Sequence, residues 1–375
     1  MLQVELIDTS SKAQVNRFVE FHYQLYKNCP QWVPPFYTDI KTMLNRNKHP
    51  FYEHSDADFF LATRGNEVVG RLAIMENKPF NKWHGTKKVQ FYLYDTVDDV
   101  EVPKALFERA FEWSKKRGLD EIVGPKGFSP FDGYGIQNEG FEHRQMMTVM
   151  NYNYAYYPKL MEELEFEKEV DFYSCYAHTG DFVLPEKVKR VDEKVRQRGT
   201  FEIKNFKNKK ELVSWSYRIG QAYNKSFIKN WEYYPLTDNE IKFQMDSLMV
   251  IADPKLIKVI LHKDEIVGFL VAFPDISAAL QRQGGHITPW GIADMLLELK
   301  RTKWVSLDGV GILPEYQGLG GNALMYAEIE KTINEFGFEH AEETQMAETA
   351  VQVRKDMASL GVKPYKNHRV YHKKI

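Results

Sequence analysis

Apolar and polar residues alternate from Trp304 to Ile312, and the alternation changes phase once. Val305 and Leu307 fall in one phase and Val310 and Ile312 in the other, so the slip sits at Asp308-Gly309. One extra residue in a strand moves every later side chain to the opposite face, and the slip therefore predicts a β-bulge. After the strand the period becomes helical. Met325, Ile329, Ile333 and Phe336 form one stripe, and Gly337 follows as a predicted helix stop. Strand and helix are joined by Gly311-Ile312-Leu313-Pro314-Glu315-Tyr316-Gln317-Gly318-Leu319-Gly320-Gly321-Asn322.

The same order of elements occurs twice. Glu67-Val68-Val69-Gly70-Arg71-Leu72-Ala73 follows a strand and the turn Arg64-Gly65-Asn66, and Glu265-Ile266-Val267-Gly268-Phe269-Leu270-Val271 follows a strand and the turn His262-Lys263-Asp264. Each pattern predicts a β-hairpin. A helix follows in both halves, Ala105-Leu106 to Gly118 and Ala323-Leu324 to Gly337, then a short strand, Glu121-Ile122-Val123 or Glu339 to Thr344. A repeat this long predicts two similar domains rather than a solenoid. Residues 1–178 form the first and 200–375 the second, with 179–199 as a charged linker helix.

A strand, glycine loop and helix in succession form an anion cradle. Backbone N–H groups stand free at the positive end of the helix dipole, and glycines let an anion approach without meeting a Cβ. No Lys-Ser or Lys-Thr closes the glycine run, which excludes a P-loop, and the glycine spacing does not suit a dinucleotide fold. Pro314-Glu315-Tyr316-Gln317-Gly318-Leu319-Gly320-Gly321-Asn322 resembles the Gln/Arg-x-x-Gly-x-Gly/Ala signature of the GCN5-related N-acetyltransferase (GNAT) superfamily. Asn322 departs from it, standing where Gly or Ala is usual.

That resemblance implies the fold class: α/β, a mixed and mostly antiparallel sheet flanked by helices, with two GNAT-like acyl-CoA N-acyltransferase domains in tandem. It implies acetyl-CoA or another acyl-CoA as cosubstrate, its pyrophosphate held by Ile312, Leu313, Gln317, Gly318, Leu319, Gly320, Gly321 and Asn322. The bulged strand of that family splays from its neighbour and opens a wedge for pantetheine. The first half has Tyr94-Asp95-Thr96-Val97-Asp98-Asp99-Val100-Glu101 at the loop position, with four carboxylates and no glycine, which is expected to repel a pyrophosphate. The first domain is therefore expected to be a degenerate copy.

Acylating an amine requires a proton acceptor for the ammonium and a proton donor for the leaving thiolate. Glu342 and Glu343 are adjacent on a predicted strand, so one of the two faces the wedge, and Asp308 and His340 lie nearby. Glu342 is the candidate base. GNAT enzymes often place a tyrosine acid four residues before a helix-ending glycine, and here that position holds Met357, before Gly361. Tyr365 and Tyr371 are the candidate substitutes. Tyr223, Trp231, Tyr233, Tyr234 and Asp308 are expected to shape the acceptor site, and the segment from Gly284 to Thr302, with Trp290, to act as a lid.

Composition narrows the setting. A net charge of -2 in 375 residues gives no electrostatic case for nucleic acid. Two cysteines, Cys29 and Cys175, fall in no metal-ligand spacing and fit a reducing cytoplasm, and no metal is expected. No apolar run has the length of a membrane span. The expected partner is a small-molecule or peptide amine, acylated by the enzyme. A catalytically silent acyl-CoA-binding module is the alternative.

Overall fold

The structure, a computed structural model, describes residues 1–147, 149–231 and 233–375. It divides into two compact units. The first comprises Met1–Tyr173, Ser277–Leu296 and Lys366–Ile375, and the second Ser174–Ile276 and Leu297–Tyr365. Two segments that the sequence order groups with the second half thus belong to the first.

The first unit is built from β1 (Leu2–Leu6), α1 (Lys12–Leu25), α2 (Tyr37–Leu44), β2 (Asp56–Arg64), β3 (Glu67–Glu76), α3 (Lys78–His84), β4 (Lys88–Thr96), α4 (Glu101–Lys115), β5 (Glu121–Gly124), β6 (Ile136–Glu139) and α5 (Tyr157–Glu163). β7 (Glu167–His178) carries the chain into the second unit, which holds α6 (Glu186–Arg198), β8 (Glu202–Lys204), α7 (Lys209–Ser226), α8 (Asp238–Leu248), β9 (Ile257–His262) and β10 (Glu265–Pro274). The remaining elements are α9 (Ser277–Gln283), α10 (Pro289–Arg301), β11 (Trp304–Ile312), α11 (Gly321–Phe336), β12 (His340–Ala347), α12 (Val351–Ser359) and β13 (Lys363–Lys374).

In the first unit the sheet order is β1-β2-β3-β4-β5-β13, with β6 also on β13; in the second it is β7-β12-β11-β10-β9-β8. The chain's final strand therefore completes the first unit's sheet, pairing Tyr371 with Gly124. Both units share the same central motif. β2 and β3 form an antiparallel hairpin with Gly65 at φ 60°, and β9 and β10 form another with Lys263 and Asp264 at φ 49° and 65°. In each unit the next strand runs antiparallel (β4, β11), a helix crosses over (α4, α11), and the following strand pairs in parallel (β5, β12).

The predicted bulge is present. Val271 pairs with Gly309 and Ala272 with Leu307, leaving Asp308 as the extra residue. The first unit has a bulge at the same place, since Arg71 pairs with Asp95 and Ala73 with Tyr92, with Leu93 at φ 45°. No phase slip marks it in the sequence, because Phe91, Tyr92, Leu93 and Tyr94 follow one another without a polar residue and β4 is buried along nearly its whole length.

Apolar faces of the helices close the cores. Val102, Leu106, Phe107 and Ala110 of α4 pack with Phe91, Ile122 and Tyr371. Leu324, Met325, Ile329 and Ile333 of α11 pack with Val305, Leu270 and Ala341. α6 joins that second core through Val195, so it packs as a core helix as well as connecting the halves. Phe128, from a Gly/Pro/aromatic loop, is fully buried in the first unit.

Candidate active site

β11 ends against a short turn, Pro314–Tyr316, and α11 begins at Gly321. Gly318 and Gly320 have φ of 76° and 91°, a backbone region that disfavours any side chain. Among the described residues, the amides from Gly318 to Ala323 donate to no backbone or side-chain acceptor. These are the orphan donors of a helix N-terminus, clustered by two left-handed residues. A Cβ on Gly318 would meet nothing within 4 Å, so the loop is open there. A Cβ on Gly320 would come within 2.6 Å of Val195 Cγ2, so that glycine also serves packing against α6.

The other residues assigned to the cradle take distinct places. Gln317 donates from Nε2 to the Ile312 carbonyl at 3.1 Å, fixing the turn, and the Leu313 amide donates to the Val267 carbonyl at 2.9 Å. Asn322 donates from Nδ2 to Asp356 Oδ2 at 3.2 Å, linking α11 to α12. Leu319 projects at the loop tip, 46% exposed.

Parallel pairing of β11 with β12 runs from Trp304↔His340 to Leu307↔Glu343, although both strands continue further. The splay therefore begins at the bulge. A cavity of about 90 Å³ opens there, lined mainly by apolar residues of β11, α11, β12 and α12, including Leu307, Val310, Ile333, Met357 and Leu360. Its polar groups include Tyr326 and Glu343. The Tyr326 hydroxyl is buried and without a hydrogen-bond partner among the described residues. Burial pushes the Glu343 carboxyl up to about 8, with Asp356 adding to the shift.

The adjacent position, Glu342, is buried, and Tyr365 donates its hydroxyl hydrogen to Glu342 Oε2. Alternation along β12 thus separates the two carboxyls, with Glu343 lining the cavity and Glu342 engaged by Tyr365. Asp308 lies near Glu342, and burial and that neighbouring charge push its carboxyl up to about 7, although hydrogen bonds from Ser306 and Thr344 act the other way. His340 stacks on Trp304 with ring centroids 4.4 Å apart and bonds through Nδ1 to the Tyr176 hydroxyl at 2.8 Å. Cys175 is buried with its thiol pushed up to about 12 by that burial, which removes it as a nucleophile.

Other candidates lie elsewhere. Tyr371 is 2% exposed in the first unit's core and is not part of the second unit's cavity. Tyr233 and Tyr234 are buried, Tyr223 stacks on Phe227 at 4.6 Å, and neither these nor Trp231 lines the cavity. The segment expected to be a lid, Gly284 to Thr302, belongs in larger part to the first unit, where Tyr37 donates its amide hydrogen to the Gly285 carbonyl; just before it, Gln281 donates to the Pro30 and Trp32 carbonyls. Trp290 is 87% exposed. Tyr326 was missed in the sequence because it lies off the apolar stripe of α11 and outside any motif.

The fold and the loop together define a class: two GNAT folds in tandem, the second with a glycine loop of free amides and the first without one. A tandem GNAT protein from the clavulanic acid biosynthesis pathway, solved without acetyl-CoA, superposes over 100% of this chain and 98% of its own, with a TM-score of 0.56 and 9% identity. Among curated proteins, the chain is 25% identical to protein YghO of Escherichia coli (strain K12), over 97% of this chain and 94% of that one. It is 24% identical to a bacterial ceramide synthase of Caulobacter vibrioides (strain NA1000 / CB15N), over 99% and 98%. No family model matches the chain. Among the described residues, no helix is long and apolar enough to cross a membrane.

Proposed function

We propose that this chain is an acyl-CoA-dependent N-acyltransferase whose second unit binds the acyl donor and whose acceptor is an amine. The observation that carries the reading is the run of free amides from Gly318 to Ala323, directly beside a strand splay that opens an apolar cavity. The amides suit a pyrophosphate, and the cavity suits the pantetheine arm and an acyl group.

Acetyl is the donor group that the GNAT resemblance implies. The apolar walls also suit longer chains, and the likeness to a ceramide synthase supports them, since a ceramide is an amide of a fatty acid and a long-chain amino alcohol. The acceptor class accordingly extends from small molecules and peptides to amine-bearing lipids.

In the proposed reaction Asp308, held near 7, takes the proton of the attacking ammonium, and Glu342 with Tyr365 provides a second polar group on that side of β12. The nitrogen attacks the thioester carbonyl, and the C–S bond breaks. Tyr326, or protonated Glu343, supplies the proton that leaves with the thiol. Met357 cannot donate, so the donor must come from α11 or β12 if the enzyme uses one. A silent acyl-CoA-binding module is the second reading, favoured by that methionine.

The test is calorimetric titration with free CoA, acetyl-CoA and long-chain acyl-CoAs, followed by an acceptor screen that includes long-chain amino alcohols. One site per chain and an amide product are expected. Absence of binding by every CoA species would remove this function.

A further inference from the structure

The first unit lacks a glycine cradle, yet it contains a cavity of its own, about 80 Å³ in volume, beside the bulge in β4. His22 of α1, Arg71 of β3 and Asp95 of β4 are among the side chains that line it. Asp95 is counted by the sequence among four carboxylates of a defunct phosphate loop, but it sits in the strand, 3% exposed, while Asp98, Asp99 and Glu101 lie at the loop and helix start. Arg71 is 1% exposed and donates from Nε to Asp95 Oδ2 at 2.6 Å, and from a terminal nitrogen to the Phe18 carbonyl at 3.2 Å. His22 meets the same Asp95 oxygen through Nδ1 at 2.9 Å.

This arrangement fixes what the cavity presents. Arg71 and His22 hold the Asp95 carboxyl well below the usual carboxylate range, so it is ionised and accepts. His22 must then carry its proton on Nδ1, which leaves a lone pair on Nε2. Among the described residues Nε2 has no partner. Burial favours the neutral ring, against the opposing pull of Asp95. Trp32, Tyr92 and Tyr152 add aromatic walls.

We propose that this cavity is a second ligand site and that it takes a small primary amine, or the amine end of a longer molecule. An ammonium group can donate to His22 Nε2 beside the ionised Asp95, and the aromatic faces favour a cation. An anion is disfavoured, because the one fixed cation on the walls among the described residues, Arg71, is matched by Asp95. At roughly 10–15 Å³ per water, the volume accommodates a ligand portion of about five to eight heavy atoms. The site stands apart from the acyl-CoA reading of the second unit and is tested without any CoA species.

The test uses the full chain labelled with ¹⁵N-histidine, titrated with 2-aminoethanol and, at matched ionic strength, with sodium acetate. His22→Phe identifies the His22 resonances by their loss. A saturable shift of His22 Nε2 with 2-aminoethanol but not with acetate is expected. No shift of His22 Nε2 with the amine, or an equal shift with acetate, would overturn the proposal.

Discussion

Tyr365 gives its hydroxyl hydrogen to Glu342 Oε2, joining the start of β13 to the buried middle of β12 within the second unit. A buried carboxylate depends on such donors, and deleting one costs about 1–3 kcal/mol. Tyr365→Phe should therefore lower the midpoint of chemical unfolding while leaving the slope unchanged. If the pair also serves the acceptor, kcat should fall further than the acyl-CoA dissociation constant rises.

Leu319→Glu tests the cradle with little cost to the fold. The side chain projects into solvent at the loop tip, so a carboxylate there disturbs no packing, yet it places negative charge beside the free amides. Acyl-CoA affinity should fall about tenfold or more by calorimetry, equivalent to roughly 1.4 kcal/mol, with an unchanged thermal midpoint. Equal affinity in the variant would remove the cradle from the binding site.

The two glycines of the loop should respond differently. Gly318→Ala meets only backbone strain at φ 76°, whereas Gly320→Ala adds a methyl 2.6 Å from Val195 Cγ2. Gly318→Ala should cost about 1 kcal/mol and Gly320→Ala about 1–3 kcal/mol more. Adding Val195→Ala to the second should recover part of the loss, measured as a double-mutant cycle in urea.

Stability should fall as pH rises through neutrality. Asp308 and Glu343 have folded-state values of about 7 and about 8, above their ordinary 3.8 and 4.5. Between the ordinary and the raised value the folded protein binds more protons than the unfolded chain, so each group's contribution is complete below the ordinary value and is lost as pH rises to the raised one. Asp308→Asn should flatten the decline between about pH 4 and 7, and Glu343→Gln between about 5 and 8. With Asp308 as base, kcat/KM should rise through about pH 7 in the parent, and Asp308→Asn should lose that limb.

Tyr326→Phe removes a hydroxyl that has no partner, so the fold should be within about 0.5 kcal/mol of the parent. As thiolate proton donor, the hydroxyl should be needed for kcat and not for KM. The loss should shrink for donors whose leaving thiols are more acidic, and an unchanged kcat would assign the proton to Glu343.

The sequence by itself determined the elements whose signals are local. A phase slip of one residue revealed the bulge at Asp308, because side-chain alternation is a property of consecutive residues. Glycines at Gly318 and Gly320 revealed the loop, because positive φ is costly for any other residue. The paired hairpins revealed the repeat. Only the tertiary structure decided which side chains meet. β13 adjoins β5 although far from it in the chain, which puts Tyr371 in the first unit's core and leaves Tyr365 with Glu342 in the second. Tyr326 and Glu343 line one cavity because α11 crosses over the splay of β11 and β12. The His22, Arg71 and Asp95 cluster joins three elements, each buried in its own apolar surroundings, and no local pattern records such an encounter. Local periodicity encodes the direction in which a residue points, while its partners depend on strand order and crossover, which are set by the burial of whole apolar faces.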